Sequence, residues 1–399
     1  MSEDGRWAWR AGPRPYTVGA EEELMLLDAQ SLGLAGRAEE VIAALPSGLG
    51  DRVAPETHAG ALEIATGVHA TAGAAATELR ALRAELTGRL AMHGLRAASA
   101  GIHPLALGLT TELSHDPRHR HLHDKMGALT RREPTFGLHV HVGLPDAETA
   151  LRAFDRMRDR IPLLIGLAAN SPFWRAKDSG LAGARTFVFD AFPRTGMPRA
   201  FGSYPAYTGA IDALIDAGAI PDATHVWWDL RLKPEFGTLE IRAMDAQRRV
   251  ADTAPLIALV QCLVRASVEE PDDAAGEPPE VLVENRFLAM RDGPAARLIR
   301  GRAREELKEL LDRAIAECRP HARALGCEEE LEAAGALARG GGAAFQREAA
   351  RMMGIPGVPT ALAACYAPDE EDARTGSPPP QSDAAAHDPT TTAAEPTAS

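Results

Sequence analysis

The sequence predicts an α+β domain built on an antiparallel sheet, and three observations carry that prediction. Strand-like runs crowd the first 245 residues, whereas helical periodicity dominates from Asp252 onward. The two kinds of run do not alternate, as βαβ units with a parallel sheet would require. Four of the strand-like runs share one pattern, an apolar face backed by a face of Glu, His or Arg. A chain of 399 residues with 45% apolar content has ample material for a core.

In chain order, residues 1–14 read as a loose arm ending at Pro13-Arg14-Pro15. Thr17–Asp28 (TVGAEEELMLLD) reads as a strand in which Glu21 and Glu23 share one face and Glu22 takes the other. Two carboxylates ~4 Å apart repel by ~4 kcal/mol at an effective dielectric of ~20, so that face needs cations or water. Ala61–Thr66 (ALEIAT) is a short strand with Glu63 on its polar face, and Glu56 lies just ahead of it. His69–His93 carries Leu79, Leu82, Leu86 and Leu90 at helical spacing, capped by Gly94. Leu113–Arg132, with His115, His119, His121 and His123, reads as a flap or surface loop.

Phe136–Leu144 (FGLHVHVGL) alternates without a fault: Leu138, Val140 and Val142 on one side, Gly137, His139, His141 and Gly143 on the other. Something polar is expected to approach that second face closely. A helix follows from Pro145-Asp146 to about Ala169. Asn170–Trp228, dense in Gly, Pro and aromatic residues, is expected to be loop-rich and functional. Thr238–Asp245 (TLEIRAMD) is a strand with Glu240 and Arg242 on one face. Helices are expected over 252–268, 281–292, 302–325, 328–339 and 343–353. The folded domain is therefore set at 15–366, followed by a low-complexity, disordered tail over 367–399.

The net charge of −13 is concentrated in two places. Glu269–Glu280 carries six acids and no base, and the last 34 residues carry seven acids against Arg374 alone. The rest is close to neutral, so no nucleic-acid partner is expected. No window reads as a membrane span of ~20 apolar residues and no signal peptide opens the chain. Cys262, Cys318, Cys327 and Cys365 form no CxxC pair and read as reduced thiols, so the expected location is the cytoplasm.

Taken singly, each glutamate on a strand fits a solvated face, and His141 fits a core position. Taken together, the polar faces of four strands, with Glu56 just ahead of the second, would bring five glutamates and a histidine to one place if they line a single concave sheet. Such a site calls for bound cations, and hard oxygen ligands favour Mg²⁺ or Mn²⁺ over zinc. Mg²⁺ commonly bridges carboxylates to substrate phosphates, which implies a nucleotide; Arg242 would then face charge developing on a transferred phosphoryl group. The usual cradles, a P-loop or GxGxxG, are absent from the sequence. Two rival readings stay open. One is a metal-dependent hydrolase built on the His139-Val140-His141 pair; the other is a non-catalytic nucleotide- or metabolite-binding protein.

At these residues the sequence strongly resembles the glutamate–cysteine ligase type 2 family of ATP-dependent carboxylate–amine ligases. The motifs are VGAEEELMLLD (18–28), ALEIATGVH (61–69), FGLHVHVGLPD (136–146), AANSPFW (168–174), FDAFPRTGMP (189–198), WWDLRLKPEFGTLEIRAMD (227–245) and ENRFLAMRDG (284–293). The resemblance implies a glutamine-synthetase-like antiparallel sheet that binds ATP and divalent metals on its concave face, with helices packed on the other. It implies Glu21, Glu23, Glu56, Glu63, His139 and Glu240 as metal ligands and Arg242 as the phosphate contact. Arg185 and Arg194 are candidates to hold a substrate carboxylate, and Trp227, Trp228 and Tyr204 are expected to wall the site. The implied partners are a small carboxylate, glutamate, and an amine, cysteine or another. The implied product is a γ-glutamyl amide formed through an acyl phosphate, and the late helices could pair two subunits as a homodimer.

Overall fold

A computed structural model describes residues 5–108, 111–269 and 276–366. Its centre is one seven-stranded sheet of β1 (Val18–Asp28), β2 (Val53–Pro55), β3 (Ala61–Ala65), β4 (Leu95–Ala98), β5 (Gly137–Gly143), β6 (Leu230–Lys233) and β7 (Thr238–Asp245). The order is β6-β7-β5-β1-β3-β2, and every pairing is antiparallel. Met25 pairs with both Ala61 and Ala98, so β4 continues the β1 edge that β5 occupies further back.

Period-two alternation sorts the side chains as the sequence predicts. Val18, Ala20, Leu138, Val140, Val142, Leu239 and Ile241 belong to one buried cluster with the helices Ala147–Met157, Ile161–Ala168 and Val250–Glu269. Leu24, Leu26, Leu62 and Ile64 cluster with Leu79, Leu82, Leu86 and Leu90 of the helix Ala72–Met92. Val250–Glu269 is long and apolar enough to cross a membrane by length and composition. In the fold it is a core helix, packed against Ala72–Met92, Ala147–Met157, Leu307–Leu325 and Glu328–Leu337.

Glu22 projects into the helix side and is fully buried. Arg83, on Ala72–Met92, meets it with two hydrogen bonds and also donates to the carbonyls of Gln247, Arg248 and Tyr366. One guanidinium thus joins β1, the segment after β7 and the last described helix. A buried ion pair holds when its remaining donors are satisfied in this way.

Several sequence expectations are revised. Residues 5–14, read as a loose arm, are docked: Trp7 Nε1 donates to Asp212 at 2.9 Å and Trp9 Nε1 to the Leu144 carbonyl at 2.9 Å. Leu113–Arg132, read as a flap or loop, contains the helix Pro117–Met126 and the 3₁₀ turn Gly127–Arg131. Asn170–Trp228 holds the helices Ala184–Phe189 and Tyr204–Asp216; the second is capped by Ser203, whose side chain accepts from Ala206 N. The helix expected at 302 starts at Leu307, after a hairpin of Arg297–Arg300 and Ala303–Glu306. Positions 270–275 of the acidic stretch and the tail 367–399 lie outside the described residues.

Candidate active site

The face of the sheet opposite the first two clusters is divided along β1. Its far half, Met25 and Leu27, is covered by Phe136, Ala349, Ala361 and Leu362, the last three from the helices Gly341–Met353 and Val358–Tyr366. Its near half, Glu21 and Glu23, borders a cavity of about 740 Å³. Register completes the floor: Glu21 lies opposite His139, Glu23 opposite Glu63, and Glu240 opposite both His141 and Arg231.

Of the six residues expected as metal ligands, Glu21, Glu23, Glu56, Glu63 and His139 line this cavity, as does Arg242. Glu240 is fully buried at its edge. His139 is the hub: Nδ1 is 3.5 Å from Glu21 Oε2, and Nε2 is 3.7 Å from Glu23 Oε1. It is buried, and neither ring nitrogen has a hydrogen-bond partner. Ligand atoms of Glu21, His139 and Glu240 lie within 4.8 Å of one another, and so do those of Glu23, Glu63 and His139. Two cation-sized sets therefore meet at one imidazole, and Glu56 stands beside them rather than in either set.

The electrostatics follow from this crowding. Burial raises the Glu56 carboxyl and the charge of Glu23 adds to it, pushing it to about 8. Glu63 is pushed well above the usual range by burial, then by Glu56, Glu21 and Glu23. Burial works the same way on Glu240, but Arg231 and Arg242 outweigh it and hold that carboxylate ionised. Burial, and then the charge of Arg242, lowers His139 and favours the neutral ring, with one nitrogen free to donate a lone pair. Mutual repulsion of this kind is what a bound cation relieves.

Gly137 makes the close approach possible, because a Cβ there would lie 2.3 Å from Arg185 Nη2 and 2.9 Å from His139 Nε2. Its N–H donates to Glu23 Oε2 at 2.5 Å. Arg185 is thus close behind the floor, buried, with Nη2 3.4 Å from the Arg242 carbonyl. Arg194 supports a wall instead: its Nε donates to the His225 carbonyl at 2.9 Å and its guanidinium lies over Trp227. Trp227 does line the cavity, together with Phe189 and Phe192. Trp228 packs on Phe201 and Tyr207, and Tyr204 on Trp9 and Tyr207; neither borders the cavity.

Sequence reasoning passed over Arg231, whose Nε donates to Glu240 Oε2 at 2.8 Å. Its signal was present, since Leu230 and Leu232 flank it in strand alternation, but β6 is only four residues long. His141, left between core and site, belongs to the site face: Nε2 is 3.3 Å from Glu21 Oε1 and Nδ1 is 3.1 Å from Thr238 Oγ1. Phe189 and Phe192 carried no periodic signal at all.

An antiparallel sheet backed by helices, with this acidic, histidine-centred cavity on half of its other face, is a fold shared with solved ligase structures. The chain matches the structure of a glutamate–cysteine ligase from Francisella tularensis in complex with AMP with a TM-score of 0.65 at 12% identity, covering 90% of this chain and 91% of that one. It also matches a bifunctional glutathione synthetase from Pasteurella multocida with a TM-score of 0.64 at 12% identity, over 88% of this chain and 52% of that longer one. At such identities the likeness concerns the fold.

Sequence comparison supplies the family. The model of glutamate–cysteine ligase family 2 matches residues 17–374. The chain is 37% identical over 344 residues to a protein of Rubrobacter xylanophilus provisionally named glutamate–cysteine ligase 2-1, covering 85% of this chain and 92% of that protein. A Bradyrhizobium relative, provisionally named glutamate–cysteine ligase 2, is 34% identical over 344 residues, covering 85% and 84%. The chain belongs to glutamate–cysteine ligase family 2.

Proposed function

We propose that this protein is a cytoplasmic ATP-dependent carboxylate–amine ligase that joins L-glutamate to an amine of the cysteine type, releasing ADP and phosphate. The observation that carries the reading is His139, a buried imidazole with two unpartnered nitrogens set between carboxylates from β1, β3 and β7. An orphaned polar group of this kind costs ~1–3 kcal/mol unless a ligand satisfies it. The donor set of carboxylates around one imidazole suits a hard divalent ion. A neutral imidazole has one lone pair to give, so His139 would complete one set at a time, Glu21 with Glu240 or Glu23 with Glu63, and the other carboxylates would border the ion. Bound there, Mg²⁺ or Mn²⁺ supplies positive charge that fixes and polarises phosphate oxygens.

The residues divide the remaining work. The substrate carboxylate attacks the γ-phosphorus of ATP, and ADP leaves as an acyl phosphate forms. Arg242, held by Glu240 at the cavity edge, neutralises charge on the transferred phosphoryl oxygens. The amine then attacks the acyl carbon and phosphate departs. No protein nucleophile is required. Phe189, Phe192 and Trp227 form an aromatic side against which a planar adenine can stack and which keeps water from the acyl phosphate.

The test is ADP release with ATP, Mg²⁺, L-glutamate and a panel of amino acids and simple amines. Release that requires both a carboxylate and an amine is the expected result. Turnover without nucleotide, or silence across the panel, would overturn the ligase reading.

A further inference from the structure

The helix Pro279–Asp292 lies outside the sheet and contributes no residue to the cavity lining among the described residues, yet it sends one buried arginine toward it. Arg286 Nε donates to Asp229 Oδ2 at 2.6 Å and Nη2 to Asp229 Oδ1 at 3.0 Å. Nη1 donates to Asp190 Oδ2 at 2.5 Å, and Nη2 also reaches Asp190 Oδ1 at 2.8 Å. A single planar fork therefore grips two carboxylates, which an ammonium could not do with the same geometry.

Both carboxylates sit at the roots of the aromatic side of the cavity. Asp190 directly follows Phe189 at the end of the helix Ala184–Phe189. Asp229 follows the Trp227-Trp228 pair, takes a hydrogen bond on its backbone carbonyl from Arg242 N at 2.8 Å, and donates its own N–H to the Gly196 carbonyl at 2.9 Å. Phe189 touches Phe192 with ring centroids 5.8 Å apart, and Phe192 touches Trp227 at 6.3 Å. The three rings thus belong to two chain segments, 189–192 and 227, joined side by side by Arg286, by the short pairing of Thr195-Gly196 with Trp227-Trp228, and by Arg194, which donates to the His225 carbonyl and lies over Trp227. Arg286, Arg242, Trp227 and Phe189 also share a cleft of about 10 Å³, so the clasp stands directly behind the wall.

We propose that Arg286 is a positioning residue: by bridging Asp190 to Asp229 it sets the aromatic wall against Arg242 and so fixes the seat of the nucleotide base. The assignment of that seat to a base rests on the ligase reading above; the bridging itself does not. Three variants separate the possibilities. Asp190→Asn removes half of the bridge at a residue with about a third of its side chain exposed, so the fold should survive. Arg286→Gln removes the clasp, and Arg286→Lys keeps the charge without the fork.

In the ligand-free protein, hydrogen exchange in 189–196 and 224–229 should accelerate about tenfold in Asp190→Asn and Arg286→Gln, while β1 and β5 stay unchanged. With Mg²⁺ present, the Kd for ATP, read by quenching of tryptophan emission, should rise about tenfold, with Arg286→Lys resembling Arg286→Gln. Exchange equal to wild type, or raised uniformly across the sheet, overturns the clasp. Wild-type behaviour of Arg286→Lys overturns bridging in favour of charge alone. If the wild type binds no ATP, the ligase reading falls, and the exchange pattern still decides whether Arg286 holds the wall.

Discussion

The cavity has two sides of unlike origin. Its floor comes from β1, β3, β5 and β7, where hydrogen-bond ladders fix each side chain to a face and a register. Its aromatic side comes from 189–192 and 224–227, where two short segments are tied by Arg286 and a two-residue bridge. The difference separates chemistry from fit. Charged groups that must sit within hydrogen-bonding reach of one another are carried on the rigid element, and the rings that, under the proposed function, would meet a flat ligand are carried on a helix end and connecting chain.

The strongest way to break this division is on the floor. Glu23→Gln should lower the rate of ADP release by about 10³-fold or more while circular dichroism and melting stay near wild type. Glu23 takes its hydrogen bond from Gly137 N–H, which an amide oxygen can still accept. Glu240→Gln should lose activity equally but also melt earlier. It removes the partner of two arginines, Arg231 and Arg242, and breaking a buried pair from one side costs ~3–5 kcal/mol. Normal ADP release from Glu23→Gln at saturating Mg²⁺ would sink the metal assignment.

The aromatic side should respond differently. Trp227→Ala is expected to raise the KM for ATP about tenfold to a hundredfold, with kcat reduced less, since stacking on one ring is worth ~1–3 kcal/mol. A fall in kcat with KM unchanged would move Trp227 from binding to chemistry and erase the contrast with the floor.

The same contrast governs what the sequence disclosed. Strand alternation in FGLHVHVGL and TLEIRAMD is a backbone rule, so His139, Glu240 and Arg242 could be placed on one face without coordinates. That these faces form one floor needed the pairing Glu21↔His139 and Glu23↔Glu63, which no local rule contains. Arg185 and Arg194 were singled out as charges in a loop region, and charge alone does not tell direction. One points behind Gly137 and the other onto Trp227 and the His225 carbonyl. The docked arm was unreadable for a related reason. Nothing in the sequence near Trp7 and Trp9 announces the helix Tyr204–Asp216, which brings Asp212, Tyr204 and Tyr207 beside them. Glu22 shows the reverse failure: alternation placed it correctly on the apolar side, and only its distant partner Arg83 explains why a carboxylate is tolerated there.

The smallest expected effect sharpens the comparison through pH. Glu56 and Glu63 have carboxyl groups raised by burial and by neighbouring acids, so the folded state prefers them protonated relative to the unfolded chain. The sign follows by linkage: this preference stabilises the metal-free fold fully below the ordinary carboxylate range and is lost as pH rises, for Glu56 between 4.5 and about 8. His139, lowered by burial, pulls the other way over the same interval, so the carboxyls' share is read by difference: from pH 5 to pH 8 the Tm of the metal-free wild type should fall relative to that of Glu63→Gln. Mg²⁺ must displace those protons to bind, so the Tm gain on adding it should be greatest at pH 8 and small at pH 5. Glu63→Gln should flatten that dependence, whereas Trp227→Ala, on the other side of the cavity, should leave it intact. A Mg²⁺ gain that does not change with pH would mean the ion is held by groups other than these carboxylates.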